Sequence, residues 1–465
     1  MAQSRRDFLR QSGCALGAAA LISGVERFGL INALAQGTAT DYKALVGIFL
    51  FGGNDGNNTV VPLETAEYAA YSAVRAPAGL ALPQGQLLPI TPSGINRQFG
   101  LHPSLTELQT LWQVQKLAVL CNVGPLIQPL TKAEYTSGVG RPYRLFSHSD
   151  QQVQWQTSVS THPSRSGWGG RTADHVLADK ASATLPMAIS TAGDSLFTVG
   201  TDTRPLAIAP APVALDEILT LNMAGSPPVV AARAAALKHI LQVNTGSQLA
   251  QSTNRMMNSA IQVSQMINAD PSLATRFPQT SLGNQLQQVA KLISLRETLG
   301  VRRQIFFCSL GGFDTHNYQR QTHANLLAQI SGAMKAFYEA TVELGASAQV
   351  TTFTLSDFGR TLQPAGGGIG AGTDHGWGNH QFIMGGAVRG GDFYGTAGPN
   401  ETVFPTLALS GPDDTDSRGR WIPTTSVDQY AATLATWYGL PGAALSTVFP
   451  YLDRFPTANL GFLSA

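Results

Sequence analysis

Charge is scarce in this chain: Asp, Glu, Lys and Arg make up 13% of its 465 residues, and the formal net charge is +1. No basic tract occurs, which argues against nucleic acid as a partner, because a phosphate backbone is gripped by clustered Lys and Arg. Long apolar runs are missing as well. The stretch CALGAAALISGV at 14–25 is too short to span a bilayer, and beyond it no long apolar run appears. No membrane insertion is therefore expected of the processed chain. Cysteine is rare, with three in all. Cys14 sits in QSGC, which lacks the aliphatic residue of a lipobox, so lipidation is not expected. Cys121 and Cys308 each end a strand-like run, and one disulfide or two buried thiols are both open.

What the chain does have is apolar bulk and glycine. Hydrophobic residues reach 43%, enough for a large core and far from a disordered composition. The 48 glycines point to many tight turns at strand ends. Length permits one large domain or two.

The first 35 residues read as an export signal. Ser4-Arg5-Arg6-Asp7-Phe8-Leu9-Arg10 is a twin-arginine n-region, followed by the short apolar segment and by Ala33-Leu34-Ala35 as a cleavage site. Cleavage after Ala35 removes four arginines against Asp7 and Glu26, a surplus of two, so the processed chain carries about −1. The reading is of a periplasmic or secreted protein, with residues 36–465 as a single domain.

Three apolar runs end alike. ALVGIFLF at 44–51 leads into Gly52-Gly53-Asn54-Asp55. RQIFFCSL at 303–310 leads into Gly311-Gly312-Phe313-Asp314-Thr315-His316. VTTFTL at 350–355 leads into Ser356-Asp357, with Arg360 close behind. Near-continuous apolar runs of this length are the mark of strands buried on both faces of a parallel sheet. A fourth run, LAVLCNVG at 117–124, follows LHPSLTELQTLW, which reads as a helix capped by Ser104, with His102 in a packing role. Helical patterns between the strands imply crossovers, hence a doubly wound α/β fold with a mainly parallel sheet and helices on both faces. Residues 210–300 carry helical periodicity and no acidic or histidine cluster, and read as a helical layer or insertion.

In such a sheet the ends of parallel strands open on one edge, where ligands bind. Asp55, Asp314, His316 and Asp357 are expected there, joined by His375 and His380 from the glycine-rich loop that follows. Together the six form an expected metal site, with Asp374 as a partner of one histidine. Mixed oxygen and imidazole donors favour zinc or manganese over calcium. Gly366–Gly372 lacks the Lys-Ser/Thr of a phosphate-binding P-loop. The segment SHSDQQVQWQT, 147–157, places Ser147, His148, Ser149 and Asp150 ahead of a helix. Ser147 there is either a plain cap or a hydroxyl set beside helix N–H groups that suit an anion.

FGGNDGNNTVVP, LHPSLTEL, SLGGFDTHNYQ, LSDFGRT and GTDHGWGNHQFIMGGAVRGG together resemble an exported bacterial family, the domain of unknown function 1501 family. That family is in turn similar to the alkaline phosphatase and sulfatase superfamily. The resemblance implies an alkaline phosphatase-like fold and one or two divalent cations that polarise a phosphate or sulfate ester. It also implies Asp55 as the first-strand metal aspartate, Asp314 and His316 as the middle pair, and His375 or His380 as the last metal histidine. Asp357 matches the acid of a paired Asp-His, with Phe358 where the histidine stands. Ser147 is the implied nucleophile, and Arg360 could balance charge developing on the substrate. The competing account gives attack to a water on the cation and leaves Ser147 as a cap. The expected function is hydrolysis of an anionic small-molecule or polymer ester. A non-catalytic binding or assembly protein with an eroded site is the alternative, and phosphoryl transfer or isomerisation comes third.

Overall fold

Burial along the first strand shows how the molecule is layered. In the computed structural model, which describes residues 42–176, 185–219, 226–243 and 270–464 with a few single positions between 247 and 261, every residue of Ala44–Leu50 is buried. The alternation of a strand sends Ala44, Val46, Ile48 and Leu50 into one core, and Leu45 and Phe49 into another. Gly47 lets the Phe353 ring lie against the strand, since a Cβ there would meet it at 3.1 Å. A strand buried on both faces has no polar side to spend, which explains the unbroken apolar run.

The strands in chain order are β1 (Lys43–Leu50), β2 (Val60–Pro62), β3 (Leu88–Ile90), β4 (Phe99–Leu101), β5 (Leu117–Gly124), β6 (Ala188–Ser190) and β7 (Leu206–Ala207). They continue as β8 (Arg303–Leu310), β9 (Val350–Ser356), β10 (Arg360–Ala365), β11 (Gly372–His375), β12 (Asn379–Gly385), β13 (Phe393–Tyr394) and β14 (Thr425–Ser426). The main sheet has the order β13-β5-β12-β9-β1-β8-β6-β7, with β14 also on β5. All its pairings are parallel except those of β12, which runs against both β5 and β9. The mainly parallel α/β sheet expected from the four apolar runs is therefore present. One core is closed by helices Thr106–Gln113, Ser281–Ser294 and Gln319–Glu343; the other by His148–Thr157, Trp168–His175 and Val427–Tyr438. Helices thus cover both faces.

Two local expectations are corrected. Ser104 does not cap the helix after it. That helix begins at Thr106, and the N–H groups of Glu107 and Leu108 donate to the Ser331 hydroxyl at 3.1 and 3.2 Å. A long-range partner satisfies the orphan donors that a local cap would otherwise take. Cys121 and Cys308 are buried thiols. They lie on β5 and β8, four steps apart in the sheet, about 19 Å at the usual strand spacing and far beyond a disulfide's reach. The 210–300 stretch contains helices Leu215–Leu219, Pro227–Gln242 and Ser281–Ser294. Much of the remainder, like the expected N-terminal signal at 1–35, lies outside the described residues.

Candidate metal centre

Register fixes where the chemistry gathers. Leu50 of β1 pairs with Leu310 of β8 and with Ser356 of β9, so the loops after all three strands leave one edge of the sheet together. The turn after β1 depends on glycine. Gly52 has φ +115°, and a Cβ there would meet the Asp314 backbone N at 2.2 Å. Only a residue without a side chain lets the β1 and β8 loops lie so close.

Four side chains converge at this edge. The Asp314 Oδ1 atom lies 3.0 Å from His316 Nε2 and 3.4 Å from both His148 Nε2 and His375 Nε2. His316 Nε2 and His375 Nε2 are 2.9 Å apart. Ligand atoms of His148, Asp314 and His375 all fall within 4.8 Å of one another, an arrangement able to hold a metal ion. Asp314 is 46% exposed, so the cluster opens to solvent on one side.

Each imidazole is oriented from behind by an oxygen. His148 Nδ1 is 2.7 Å from Asp357 Oδ2, His316 Nδ1 is 3.2 Å from Asp374 Oδ1, and His375 Nδ1 is 2.8 Å from the Phe146 carbonyl. An acceptor at Nδ1 keeps the proton there and turns a lone pair outward at Nε2. The His148 and His375 Nε2 lone pairs and the Asp314 carboxylate oxygen, all within 4.8 Å of one another, repel one another unless a proton or cation lies among them, and His316 Nε2 adjoins Asp314 and His375 beside them. His148 Nε2 is also buried with no hydrogen-bond partner in the protein. The donor set fits a borderline divalent cation such as zinc.

Local sequence explains how these residues arrive. Ser147 caps helix His148–Thr157, which puts His148 at its first turn and Gln152 one turn later on the same face. Both reach Asp357 Oδ2, with Gln152 Nε2 donating at 2.9 Å. Phe146 adopts φ 68°, a conformation that non-glycine residues rarely take, and its carbonyl is the one that His375 meets. The hairpin of β10 and β11 pairs Arg360 with His375. Arg360 is fully buried and donates from Nη1 to Asp314 Oδ1 at 2.9 Å.

The electrostatics follow. Burial opposes ionisation of Asp314, yet the hydrogen bond and charge of Arg360, with His316 and His148 nearby, hold its carboxyl below the usual range. The Asp357 hydrogen bond pushes His148 up against the effect of burial. Burial pushes His375 down, only partly offset by its bond to the Phe146 carbonyl.

Of the six expected ligands, Asp314, His316 and His375 come together here. Asp55 and His380 do not join them. Asp55 is fully buried and engaged by Arg75, whose Nη1 lies 2.5 Å from Oδ2 and whose Nη2 lies 3.0 Å from Oδ1. Gln319 Nε2 and the Asn57 N–H also donate to it. Those bonds make Asp55 the anchor of the β1 turn. His380 is stacked on Phe404 with ring centroids 4.7 Å apart, accepts the Asn122 N–H at Nδ1, and is driven down to about 3 by burial. Asp357 stands behind His148 rather than beside the other donors. Ser147 Oγ accepts the Asp150 N–H and donates to Asp150 Oδ2 at 2.5 Å, the bonds of a cap. The imidazole that enters the cluster from this segment is His148, its neighbour. His148 was not singled out from the sequence, because only the chain crossing shows that it meets Asp357, 209 residues away. Phe358 packs its ring against His148 and His375 at 4.8 and 4.5 Å.

Fold and site together define an α/β protein with a His/Asp cluster at the carboxyl edge of its sheet. A family model described as "Protein of unknown function (DUF1501)" matches residues 42–401, and the chain belongs to that family. Among proteins with curated descriptions, none matches. Several solved structures are loosely similar. A putative sulfatase from Bacteroides thetaiotaomicron is 9% identical with a TM-score of 0.30, the alignment covering 88% of this chain and 75% of that one. The PsFucS1 sulfatase from Pseudoalteromonas sp. is 10% identical with a TM-score of 0.30, covering 96% and 73%. The periplasmic domain of EcEptC from Escherichia coli, solved in complex with Zn, is 10% identical with a TM-score of 0.30, covering 74% and 73%. No residue role is carried across from them.

Proposed function

We propose that this protein is an exported metal-dependent hydrolase of phosphate or sulfate esters. The observation that carries the reading is the meeting of the outward-turned Nε2 atoms of His148 and His375 with the Asp314 carboxylate on a solvent-open face, with His316 Nε2 adjoining Asp314 and His375. In this reading His148, His375 and Asp314 hold the cation, with His316 beside them as a further donor, and zinc or manganese suits them better than calcium. Such a cation polarises an ester oxygen and supplies a nucleophile at neutral pH. Asp357, Asp374 and the Phe146 carbonyl keep the three rings in the ligating tautomer. Arg360 spends its guanidinium on Asp314, Thr373 and the Gly52 carbonyl, so it positions the carboxylate rather than the substrate. Attack falls to a water entering from the open side, with the Ser147 hydroxyl as the alternative. The twin-arginine segment supports export to the periplasm or beyond, with cleavage after Ala35; N-terminal sequencing of the exported protein checks it.

Metal analysis of the purified protein, followed by turnover of p-nitrophenyl sulfate and p-nitrophenyl phosphate, tests the central claim. About one transition metal per chain is expected, lost in H148A and H375A and kept in S147A, which is expected to remain active. Metal-free protein sinks the site. Bound metal without turnover of any ester leaves the non-catalytic binding or assembly reading.

A further inference from the structure

The ion-paired network around the cluster extends beyond its ligands. Arg418 pairs with Asp374 Oδ2, behind His316. Arg420 donates from Nε to the His375 carbonyl at 2.8 Å and pairs through Nη1 with Asp416 at 2.8 Å. Both arginines come from one turn, which lies past the residues that the family model matches. The turn is held rigidly. Asp414 accepts the N–H groups of Ser410, Asp416 and Arg420, Asp416 accepts those of Ser417 and Arg418, and the carbonyls of Arg418 and Gly419 receive Gln363 and Leu362 of β10. Two further ion pairs flank the network, Arg144 with Asp150 beside His148 and Arg75 with Asp55, whose charge acts on Arg360, and each pair cancels.

Formal charge in this network has a definite balance. Arg360, Arg418 and Arg420 face Asp314, Asp357, Asp374 and Asp416, so one negative charge is in excess. A divalent cation turns that excess into a single positive charge. One negative charge on a ligand then closes the balance, and a second is left without a counter-charge in a partly desolvated site. We infer that the site is matched to a singly charged ester, a sulfate monoester or a phosphate diester, and discriminates against the doubly charged phosphate monoester. The inference rests on the hydrolase reading above. Arg418 and Arg420 act as positioning residues here, setting the field through Asp374 and the His375 backbone. At separations of about 5 Å and an effective dielectric near 20, one unbalanced charge is worth at least about a tenfold difference in affinity.

Ligands that cannot be hydrolysed test the inference without any turnover. Benzenesulfonate carries one charge at pH 8.5, phenylphosphonate two, and methyl phenylphosphonate one, all on the same aryl and tetrahedral frame. Calorimetric titration into the zinc-loaded protein is expected to show both singly charged ligands binding at least about tenfold tighter than phenylphosphonate. Asp416→Asn keeps the acceptor that caps the turn and removes one negative charge. It is expected to shift the ratio about threefold toward phenylphosphonate, whereas a purely structural role would move all three affinities together. Tighter binding of phenylphosphonate by the parent protein overturns the inference and leaves the hydrolase reading standing. Failure of all three to bind the metal-loaded protein overturns both.

Discussion

Asp428 offers a quantitative test of how the second core is wired. It lies in the first turn of helix Val427–Tyr438, is fully buried, and accepts the Tyr451 N–H at Oδ1 over 3.2 Å. Burial pushes its carboxyl up to about 7; the Ser158 hydroxyl, the Tyr451 N–H and the charge of Arg171 only partly offset this. The unfolded chain ionises near 3.8, so between that value and 7 the folded state holds the extra proton. Stability contributed by this group is therefore full below pH 3.8 and is lost as pH rises toward 7. Above 7 the folded protein carries an ionised buried carboxylate at a cost of roughly 4 kcal/mol, three units at about 1.4 each. Asp428→Asn keeps the acceptor for Tyr451 and removes the charge. Allowing about 1–2 kcal/mol for the new amide protons, the variant is expected to be more stable than the parent by about 2–3 kcal/mol at pH 8. For a chain of this length that is a rise of about 2–3 °C in Tm. At pH 4.5 the advantage should vanish or reverse. Calorimetric melting of parent and variant across pH 4.5–8 reads the difference directly. A Tm difference that does not change with pH would refute the reasoning, because it would mean that Asp428 titrates alike in the folded and unfolded chain.

Three other outcomes are expected. Arg75→Met strands Asp55 as a buried, unpaired carboxylate and should cost about 3–5 kcal/mol, seen as a lower midpoint in urea melts; a change under about 1 kcal/mol would show that Asp55 is not held as a charge. His102, His323 and His380 are buried and driven down to about 3, 4 and 3, while their unfolded values lie near 6.5, so stability should fall as pH drops from 6.5 toward 4, opposite in sign to the Asp428 contribution. A flat melting profile over that window in the Asp428→Asn protein would contradict it. Asp357→Leu removes the acceptor behind His148 and should weaken metal affinity about 10–100-fold in competition with a chelator, while leaving the other two rings in place; unchanged affinity would mean that His148 is not a ligand.

Sequence by itself determined the scaffold and most of its working edge. Unbroken apolar runs such as ALVGIFL can only be satisfied between two helical layers, and strand ends repeating glycine pair and acid must open together once the strands are parallel. Asp314 and His316 were legible on that ground, since each sits within a few residues of a strand that the pattern already located, and His375 was legible from the glycine-rich loop that follows the third strand. Tertiary structure alone decided how the remaining groups were used. Asp55 carries the same local signature as Asp314, yet Arg75 arrives from the helix 20 residues on and takes its carboxylate. His380 belongs to β12, the one reversed strand, and the core closes over it against Phe404. His148 enters because the capped helix aims its first residue at Asp357, across 209 residues of chain. Local pattern specifies which residues can ligate or carry charge; which of them do is set by the partner that reaches each one first through space, and no spacing along the chain records that.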